Sequence, residues 1–231
     1  MKMTLGDQEV IGSCSYKMNK GAREFDLKII EQFVIAAGSD SVQVFGGAFE
    51  GGIQAQQIPD EIAPCILALL ESKKQINNYL EIGAAAGGTT FLFNHFFKPE
   101  RIVLIDDNRH WKAHIRPYVL RDIPHEEIIG ISQSEGTVEA LKDLGLKFDV
   151  ILIDGDHSYN GVKLDTVLYL PYLRPGGFLI FHDSSMPDWG VCRVVRELKE
   201  DRGMEFVGEY ISAKHSPACG VALFRKVADE G

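Results

Sequence analysis

The chain has 231 residues, of which 45% are hydrophobic and 25% are charged, a composition that is ordinary for one large folded domain. Its net charge of -9 argues against nucleic acid as the partner, because neutralising phosphates requires clustered Lys and Arg. No apolar run is long enough to span a membrane, the N-terminus lacks the apolar core of a secretory signal, and the four cysteines lack metal-type spacing. We therefore expect a cytoplasmic protein with reduced thiols and no membrane partner.

The first 54 residues are predicted to form an irregular arm and a cap helix near 23–37. In that helix apolar residues recur on one face, at Phe25, Ile29, Ile30, Phe33 and Val34. Glycines at 46–52 indicate a loop. Pro59 begins a second predicted helix over 59–74, with Asp60 and Glu61 in the first turn, where the helix dipole favours acids. We place the main domain at 55–231.

From Tyr79 onwards, predicted strands alternate with predicted helices. The strands fall near 79–83, 101–106, 127–131, 148–154, 177–182, 205–211 and 219–226, and the helices near 88–97, 109–120, 134–144, 160–172 and 188–201. Such alternation predicts an α/β fold with a parallel sheet and right-handed crossovers. Only a loop joins the last two strands, which therefore should form an antiparallel hairpin at one edge.

Polar side chains follow two apolar strands. Residues 150–153 precede Asp154, Asp156 and His157, and residues 178–181 precede His182 and Asp183. Ligands of parallel sheets bind beyond the carboxyl ends of the strands, so these groups predict one polar cluster at that edge. Helix capping explains a single acid at such a position but explains the His182–Asp183 pair poorly.

A glycine-rich turn follows the first strand, with the sequence LEIGAAAGGTT over residues 80–90. It is not the G-x-G-x-x-G of dinucleotide-binding proteins and lacks the Lys of a phosphate-binding loop. The pattern E-x-G-x-x-x-G resembles motif I of the class I S-adenosylmethionine-dependent methyltransferases. Asp106–Asp107 after the second strand, 130–133 after the third and 173–177 before the fifth follow in the order of that family.

The resemblance implies a Rossmann-like fold, with a seven-strand, mostly parallel sheet in the order 3-2-1-4-5-7-6, a C-terminal antiparallel hairpin and an N-terminal helical cap. It implies that S-adenosylmethionine is the cofactor, with Asp106 on the ribose and the end of the third strand beside the adenine. The implied cofactor-binding residues are Glu81, Gly83, Ala84, Gly87, Thr89, Asp106, Asp107, Ser132, Gln133 and Asp154. Residues 56–61 also resemble the Q-x-P-x-E leader of catechol O-methyltransferase-like enzymes, in which case Gln57 or Glu61 covers the cofactor. A plain helix-start acid is an equal alternative for Glu61.

The same enzymes carry a divalent metal, and the resemblance implies a Mg or Mn site in this chain. Asp154 matches the first ligand and Asp183 the last, while His182 stands where an acid is usual and tilts the site toward a transition metal. His157 matches the catalytic base, three residues after Asp154. The Asp-Gly-x-His arrangement also resembles macrolide sugar O-methyltransferases and the cephalosporin hydroxylase-like group. We therefore expect methyl transfer to a small-molecule hydroxyl, on a sugar-bearing natural product or a vicinal diol, with His157 and Asp154 as the catalytic pair.

Alternatives remain open at this stage: a metal-independent N- or C-methyltransferase, or a cofactor-binding protein without catalysis. A strand-end His often only bonds a backbone carbonyl. Asp156 is either a second metal ligand or, as we favour, the cap of the following helix. Tyr159 and Trp189 could line an acceptor pocket or simply contribute to packing. No acid-rich context surrounds His110, His114 or His125, and we expect these three histidines to lie on the surface. The sequence leaves the acceptor, the metal and the oligomeric state open, a homo-oligomer included.

Overall fold

A computed structural model describes residues 20–38 and 52–227. Nearly all of the predicted arm, with Cys14, and all but the last residue of the glycine-rich loop at 46–52 lie outside the described residues. The helices are α1 (Lys20–Ala36), α2 (Pro59–Glu71), α3 (Gly88–Phe97), α4 (Arg116–Val119), α5 (Glu135–Asp143), α6 (Tyr159–Tyr169) and α7 (Val191–Lys199). The strands are β1 (Asn78–Ile82), β2 (Arg101–Asp106), β3 (Glu126–Ile129), β4 (Phe148–Ile153), β5 (Leu173–His182), β6 (Met204–Tyr210) and β7 (Val221–Lys226).

The seven strands form one sheet in the order β3-β2-β1-β4-β5-β7-β6, which confirms the predicted topology. Strands β1 to β5 are parallel, and β7 lies antiparallel between β5 and β6. Ile82 of β1 pairs with Ile105 of β2 on one side and with Ile153 of β4 on the other. This register brings the glycine-rich turn and the strand-end acids to the same edge of the sheet.

Both faces of the sheet are covered, which explains why its strands read as nearly continuous apolar runs. Alternate residues of β4 point to opposite sides: Val150 belongs to the apolar cluster under α1, α2 and α3, and Ile151 to the cluster under α5, α6 and α7. Each central strand is thus buried on two sides. This burial stabilises the fold by about 25 cal/mol for every Å² of apolar surface removed from water. The carboxyl ends of the strands are left for ligand binding.

Helix α1 packs against α2 through the buried side chains of Ile30 and Val34, and Arg23 pairs with Glu71 at 2.8 Å. The cap helix therefore joins the same apolar cluster as the main domain, and the proposed boundary at residues 54/55 stays a prediction. Within the described ranges, no helix combines the length and apolar character needed to cross a membrane.

Two predicted elements differ from the structure. The helix predicted over 109–120 is wrong: the segment holds a 3₁₀ turn at Ala113–Ile115 and the single-turn helix α4. Pro117 explains the interruption, because proline lacks the N–H that would continue a helix from Ala113. Strand β5 begins at Leu173 rather than at 177, since Leu173 pairs with Phe148 and a register shift accommodates the glycines that follow.

Candidate active site

A cavity of about 620 Å³ opens at the carboxyl edge of the sheet, a size suited to a cofactor or drug-sized ligand. It lies between the glycine-rich turn and the acid–histidine cluster. Its walls include all of the residues implied to bind the cofactor or the metal or to act in catalysis, with the exception of Gly87: Glu81, Gly83, Ala84, Thr89, Asp106, Asp107, Ser132, Gln133, Asp154, His157, His182 and Asp183. Gly87 lies behind the turn, where an added Cβ would meet Leu120 and Arg116.

Gly83 lies where the ends of β1 and β4 pass close to each other. Its N–H donates to the carbonyl of Ile105 at 2.8 Å, and the N–H of Asp154 donates to the carbonyl of Ile82 at 2.8 Å. A Cβ on Gly83 would lie 2.1 Å from the carbonyl oxygen of Asp154, and its φ of +88° is one that glycine adopts readily. The chain therefore requires glycine here for the backbone of β4 to pass beside the turn.

A second wall comes from the segment before α2. The hydroxyl of Thr89 donates to the carbonyl of Ala55 at 3.3 Å, which holds this segment over the start of α3. Gln54, Ala55 and Gln56 line the cavity, whereas neither Gln57 nor Glu61, the residues suggested by the sequence, does so.

Glu61 instead fixes the loop between β6 and β7. Its two carboxylate oxygens accept the backbone N–H groups of Ser212 and Gly220, each at 2.8 Å. Burial raises the pKa of Glu61, although these two hydrogen bonds work in the opposite direction. The acid at the helix start thus shapes the site from behind.

Glu81 forms part of the cavity floor and is almost completely buried. Its Oε2 accepts hydrogen bonds from the hydroxyls of Tyr79, at 2.8 Å, and Thr90. Burial raises its pKa to about 8 despite these two donors. The side chain therefore holds a proton over much of the neutral range and can act as a donor as well as an acceptor.

Asp106 is held by the protein on three sides. Its Oδ2 accepts the N–H of Ala85 at 2.9 Å, and its Oδ1 accepts the N–H of Asn108 at 2.7 Å and pairs with Arg116 at 3.0 Å. Each carboxylate oxygen has two lone pairs, so Oδ2 keeps acceptor capacity for a ligand hydroxyl. The carboxylate predicted to hold a ribose also ties the second strand to the glycine-rich turn.

Arg116 is a buried residue of this region that was not predicted from the sequence, and its side chain is only 2% exposed. Its guanidinium donates to the carbonyl of Ala85 at 2.9 Å, to Asn108 Oδ1 at 2.9 Å and to Glu127 at 3.0 Å, besides pairing with Asp106. A planar five-donor group suits such a junction. The sequence held no signal for it, because the partners come from three separate segments.

The neighbouring Asp107 also lines the cavity, and Arg109 Nε donates to its Oδ2 at 2.6 Å. This hydrogen bond holds the pKa of Asp107 below its usual value. His110, expected on the surface, is half-buried and lines the cavity, and burial lowers its pKa. The expectation was wrong because the irregular segment after β2 folds inward over the site.

The opposite end of the cavity is formed by Ser132 and Gln133, after β3. Gln133 Nε2 donates to Asp165 Oδ1 at 2.9 Å, and the hydroxyl of Tyr169 donates to the carbonyl of Ser132 at 2.6 Å. Asp165 is fully buried, and burial raises its pKa to about 7. Asp165 was not predicted from the sequence. An acid that shares the buried face of α6 with Val162 and Tyr169 is nevertheless a recognisable signal, because a buried carboxyl group requires a polar partner.

The strand-end acids and histidines meet as predicted from their order in the chain. His182 Nδ1 lies 3.1 Å from Asp154 Oδ1 and 3.1 Å from Asp183 Oδ2. His157 Nε2 lies 3.5 Å from Asp154 Oδ1 and 3.3 Å from Asp183 Oδ2. Two carboxylates and two imidazoles therefore form one cluster, and the side chain of His157 is the most exposed, at 33%.

Burial and charge oppose one another in this cluster. Burial alone would raise the pKa of Asp154, but the two histidines outweigh it and hold the pKa below its usual value. Burial alone would lower the pKa of His157 and of His182, but the two acids raise both, that of His182 well above its usual value. These opposing effects favour an ionised Asp154 beside at least one imidazolium.

Trp189 covers this cluster. Its indole stacks on His157 with ring centroids 4.1 Å apart, and the next residue, Gly190, donates its N–H to the carbonyl of His157 at 2.8 Å. Tyr159, which shared the acceptor-pocket expectation, does not line the cavity: its hydroxyl donates to Glu197 at 2.9 Å and its ring lies under Arg193. Of the two aromatic residues, Trp189 therefore lines the cavity and Tyr159 does not.

Ser158, and not Asp156, caps α6. Its hydroxyl accepts the N–H of Gly161 at 3.1 Å, while Asp156 accepts the N–H of Ser158 at 2.8 Å in the preceding turn. The interpretation of Asp156 as the helix cap is therefore wrong by two residues, because both side chains compete for the same few N–H groups. The carboxylate of Asp156 remains at the cavity wall.

Two groups of potential metal-ligating atoms occur among the described residues, and they share Asp183. One comprises Asp154, His157 and Asp183, and the other comprises His182, Asp183 and Cys219; within each, the atoms lie within 4.8 Å of one another. Cys219 was not predicted, because cysteine spacing along the chain gives no sign of it. The donor set fits a divalent cation, which carboxylates, imidazoles and thiolates all bind.

Comparison with known proteins agrees with this architecture. Residues 80–184 match the family model described as a methyltransferase domain. The uncharacterized protein R132 of Acanthamoeba polyphaga mimivirus is 28% identical over 117 residues, which span 48% of this chain and 53% of that protein. The chain thus matches about half the length of this curated relative.

Solved structures share the fold at low identity. The O-methyltransferase TomG from Streptomyces achromogenes, in complex with S-adenosylmethionine, is 17% identical with a TM-score of 0.62, over 91% of this chain and 100% of its own. The methyltransferase MycE of the mycinamycin pathway, in complex with Mg, S-adenosylhomocysteine and mycinamycin VI, is 18% identical with a TM-score of 0.56, over 89% of this chain and 56% of its own.

The strand order and the solved structures give this chain the fold of the class I S-adenosylmethionine-dependent methyltransferases, and residues 80–184 match the methyltransferase domain. Its structural neighbours include several O-methyltransferases, among them one from Bacillus cereus in complex with S-adenosylhomocysteine.

Proposed function

We propose that this protein transfers a methyl group from S-adenosylmethionine to a hydroxyl of a small molecule, with the assistance of a divalent metal. The observation that carries the proposal is the position of His157. Its imidazole lies between two carboxylates, at 3.3 and 3.5 Å, in the wall of the cavity that the glycine-rich turn also lines. A proton acceptor and a cofactor turn are thus in one chamber.

The cofactor binds, in this proposal, along the strand ends from Gln133 to Asp154. Asp106 accepts from the ribose through the free capacity of Oδ2, and the amide of Gln133 meets the adenine. Glu81 and the backbone at Gly83 hold the methionine portion. Support comes from the cavity, which is continuous from one end of this set to the other.

Methyl transfer is an in-line displacement, so the enzyme must align the acceptor oxygen with the methyl carbon and the sulfonium sulfur. The acceptor oxygen forms the new C–O bond while the C–S bond breaks, and that electron pair stays on sulfur. The hydroxyl proton passes to the neutral imidazole of His157, which Asp154 and Asp183 stabilise as the imidazolium. Trp189 covers His157 and keeps water from the transferred methyl.

Asp154, His182 and Asp183 are the proposed metal ligands. A bound divalent cation would lower the pKa of an acceptor hydroxyl and orient it. The acceptor proposed from the resemblance is a sugar-bearing natural product or a vicinal diol, and the similarity to MycE, solved with Mg and mycinamycin VI, supports this class. We further propose a cytoplasmic location and, as acceptor, a free small molecule rather than a nucleic acid.

The first test is calorimetric titration of S-adenosylmethionine and S-adenosylhomocysteine into the chelator-treated full chain, followed by Mg or Mn. We expect micromolar cofactor binding and a separate heat for the metal that is lost in Asp183→Ala. Cofactor binding without any metal heat would favour a metal-independent N- or C-methyltransferase. Absence of cofactor binding would overturn the proposal.

A second experiment addresses the acceptor directly. The protein is incubated with radiolabelled S-adenosylmethionine and matched pairs of acceptors, each a hydroxyl compound beside its deoxy analogue. Methylation of the hydroxyl member alone would support O-methylation, and the chelator would abolish it. Equal labelling of both members would refute it, because the label would then go to another atom.

A further inference from the structure

We infer that Cys219 is a metal ligand, and that the site it forms with His182 and Asp183 takes a borderline transition metal such as Zn²⁺ or Co²⁺ in preference to Mg²⁺. This inference extends the proposed function, on which it rests for the role of the metal. All three side chains are buried, with exposures of 6% for His182, 3% for Asp183 and 2% for Cys219. Their ligand atoms lie within 4.8 Å of one another, close enough for one ion to bridge them.

The chain brings Cys219 to the cluster through the antiparallel strand β7. His182 of β5 pairs with Val221 of β7. The segment after β5 and the segment before β7 remain hydrogen-bonded to each other beyond the end of the sheet. Ser184 donates its N–H to the carbonyl of Gly220 at 3.2 Å, and Ser185 donates to the carbonyl of Cys219 at 2.9 Å. The thiol is therefore fixed beside the two residues that end β5.

Two further features fix this position. Gly220 has a φ of +80°, and a Cβ there would lie 2.7 Å from the hydroxyl of Ser184, so the turn is one that only glycine fits. Glu61 accepts the N–H of Gly220 at 2.8 Å from the other side. A buried acid that holds the backbone next to the thiol makes Cys219 a rigidly placed donor.

An independent observation points to a ligand at this place. His182 Nε2 is buried and has no hydrogen-bond partner among the described residues, while Nδ1 lies 3.1 Å from Asp154. A metal-ligating imidazole commonly has this arrangement, in which a carboxylate holds one nitrogen and the other is left for the ion. The unpartnered nitrogen therefore supports a metal rather than a simple packing role for this cluster.

The donor types decide the metal. Mg²⁺ requires oxygen ligands in octahedral geometry, whereas sulfur and imidazole nitrogen favour Zn²⁺ and its neighbours. One thiolate, one imidazole and one carboxylate leave an open position in a tetrahedral site, as catalytic zinc sites do. In this set Cys219 replaces Asp154, which the resemblance gave as a ligand and which here holds His182 Nδ1 at 3.1 Å.

The experiment uses Co²⁺ as a spectroscopic probe in the chelator-treated full chain. We expect a near-ultraviolet thiolate-to-cobalt charge-transfer band, which Zn²⁺ abolishes and a large excess of Mg²⁺ leaves unchanged. We expect the band to be lost in Cys219→Ala and in Cys219→Ser. Zn²⁺ should also bind to these variants more weakly by over about 100-fold, because loss of a residue that only supports a ligand weakens binding by up to about 100-fold and loss of a direct ligand should exceed that. Circular dichroism verifies that each variant is folded.

The matched controls are Cys192→Ser, whose thiol donates to the carbonyl of Trp189, and Cys14→Ser, outside the described residues. Both variants should keep the band. X-ray absorption of the zinc-loaded wild type provides a reading that needs no variant, with one sulfur neighbour at about 2.3 Å expected. A band that persists in both Cys219 variants, no band in the wild type, or displacement by Mg²⁺ at equal concentration would each overturn the inference.

Titration of S-adenosylhomocysteine in the same samples separates the two proposals. Cofactor affinity that stays at the wild-type value while the cobalt band disappears assigns the loss to the metal site. A cobalt band without any cofactor affinity would leave the Cys219 site standing and overturn the proposed methyl transfer.

Discussion

The indole of Trp189 stacks on the imidazole of His157 at a centroid distance of 4.1 Å and an interplanar angle of 14°. The contact joins the loop after β5 to the loop after β4, and the hydrogen bond from Gly190 to the carbonyl of His157 closes it. The proposed base is therefore held from three directions: by the indole on its face and by Asp154 and Asp183 at its edge.

Replacement of Trp189 by Ala should lower kcat by about fivefold, because an aromatic stack contributes about 1 kcal/mol to the orientation of its partner. Affinity for S-adenosylhomocysteine should stay within about twofold, which separates positioning of His157 from cofactor binding. Trp189→Phe should restore most of the turnover. Steady-state kinetics and calorimetry provide the two readings.

The matched control is Tyr159→Phe, an aromatic of the same region that faces Glu197 instead of the cavity. Its kcat should equal that of the wild type. A normal turnover in Trp189→Ala would show that the stack has no part in the orientation of His157.

His157→Gln should lower the rate of methyl transfer by about 100-fold or more, the usual contribution of a general base, without loss of cofactor affinity. Glutamine keeps a polar group of similar reach but cannot take a proton. The single-turnover rate with radiolabelled S-adenosylmethionine measures the chemical step directly.

The control for this prediction is His114→Gln, an exposed histidine whose Nδ1 lies against the carbonyl of Trp111. It should leave the rate unchanged. Equal single-turnover rates for His157→Gln and the wild type would exclude His157 as the base.

The sequence predicted the sheet order and the cluster at its edge because both depend on patterns along the chain. Apolar runs such as 150–153 indicate buried strands, and the parallel arrangement then brings Asp154 and Asp183 together. These are consequences of topology, and the structure confirms the topology.

Contacts that depend on burial in three dimensions were not predictable in this way. Arg116 binds Ala85, Asn108 and Glu127, which belong to segments that only the fold joins. Cys219 reaches the acid–histidine cluster because β7 lies in the sheet between β5 and β6, and the spacing between cysteines in the sequence does not indicate this. The functional residues that were missed are thus the ones whose partners are distant in sequence.

Arg116→Met should destabilise the protein by about 3 kcal/mol, because it leaves Asp106 buried without its cationic partner. It should also raise the Kd for S-adenosylhomocysteine by about tenfold or more, since Arg116 holds the backbone of the glycine-rich turn at Ala85. Denaturant unfolding and calorimetry measure the two effects.

Glu127→Gln is the control, because Glu127 is partly exposed and receives one of the four contacts. Its stability should change by less than about 1 kcal/mol. Wild-type affinity for S-adenosylhomocysteine in a folded Arg116→Met variant would contradict the role assigned to this side chain.

Asp165 should determine which nucleobase the cavity accepts. Because it receives the N–H of Gln133 at 2.9 Å, it leaves the amide oxygen of Gln133 to accept from an exocyclic amine such as that of adenine. The wild type should therefore prefer S-adenosylhomocysteine to its hypoxanthine analogue by about tenfold or more. In Asp165→Ala the amide can turn and that preference should fall toward unity.

Asp165→Asn provides the control, since its amide oxygen can still accept from Gln133. It should keep the preference. An unchanged affinity ratio in Asp165→Ala, measured by calorimetry with both ligands, would exclude this role.

Glu81 should make the stability of the protein depend on pH. Its pKa is about 8 when folded, raised by burial, and its ordinary value is 4.5, so the folded state binds the proton more tightly than the unfolded state. A raised carboxyl pKa contributes stability that is complete below the ordinary value and is lost as the pH rises through the folded value. The contribution of Glu81 should therefore lower the midpoint temperature of thermal unfolding as the pH rises from 5 to 9.

Glu81→Gln should remove this part of the dependence, because a neutral amide can still accept from Tyr79 and Thr90. The variant should melt at about the temperature of the wild type near pH 5 and roughly 5 °C above it near pH 9. Asp165→Asn serves as the comparison. The pKa of Asp165 in the folded protein is about 7, so the loss of stability caused by its ionisation should be complete at a lower pH than the loss caused by Glu81. Parallel melting curves for Glu81→Gln and the wild type across this range would mean that Glu81 is ionised in the folded protein, with its charge balanced by its neighbours.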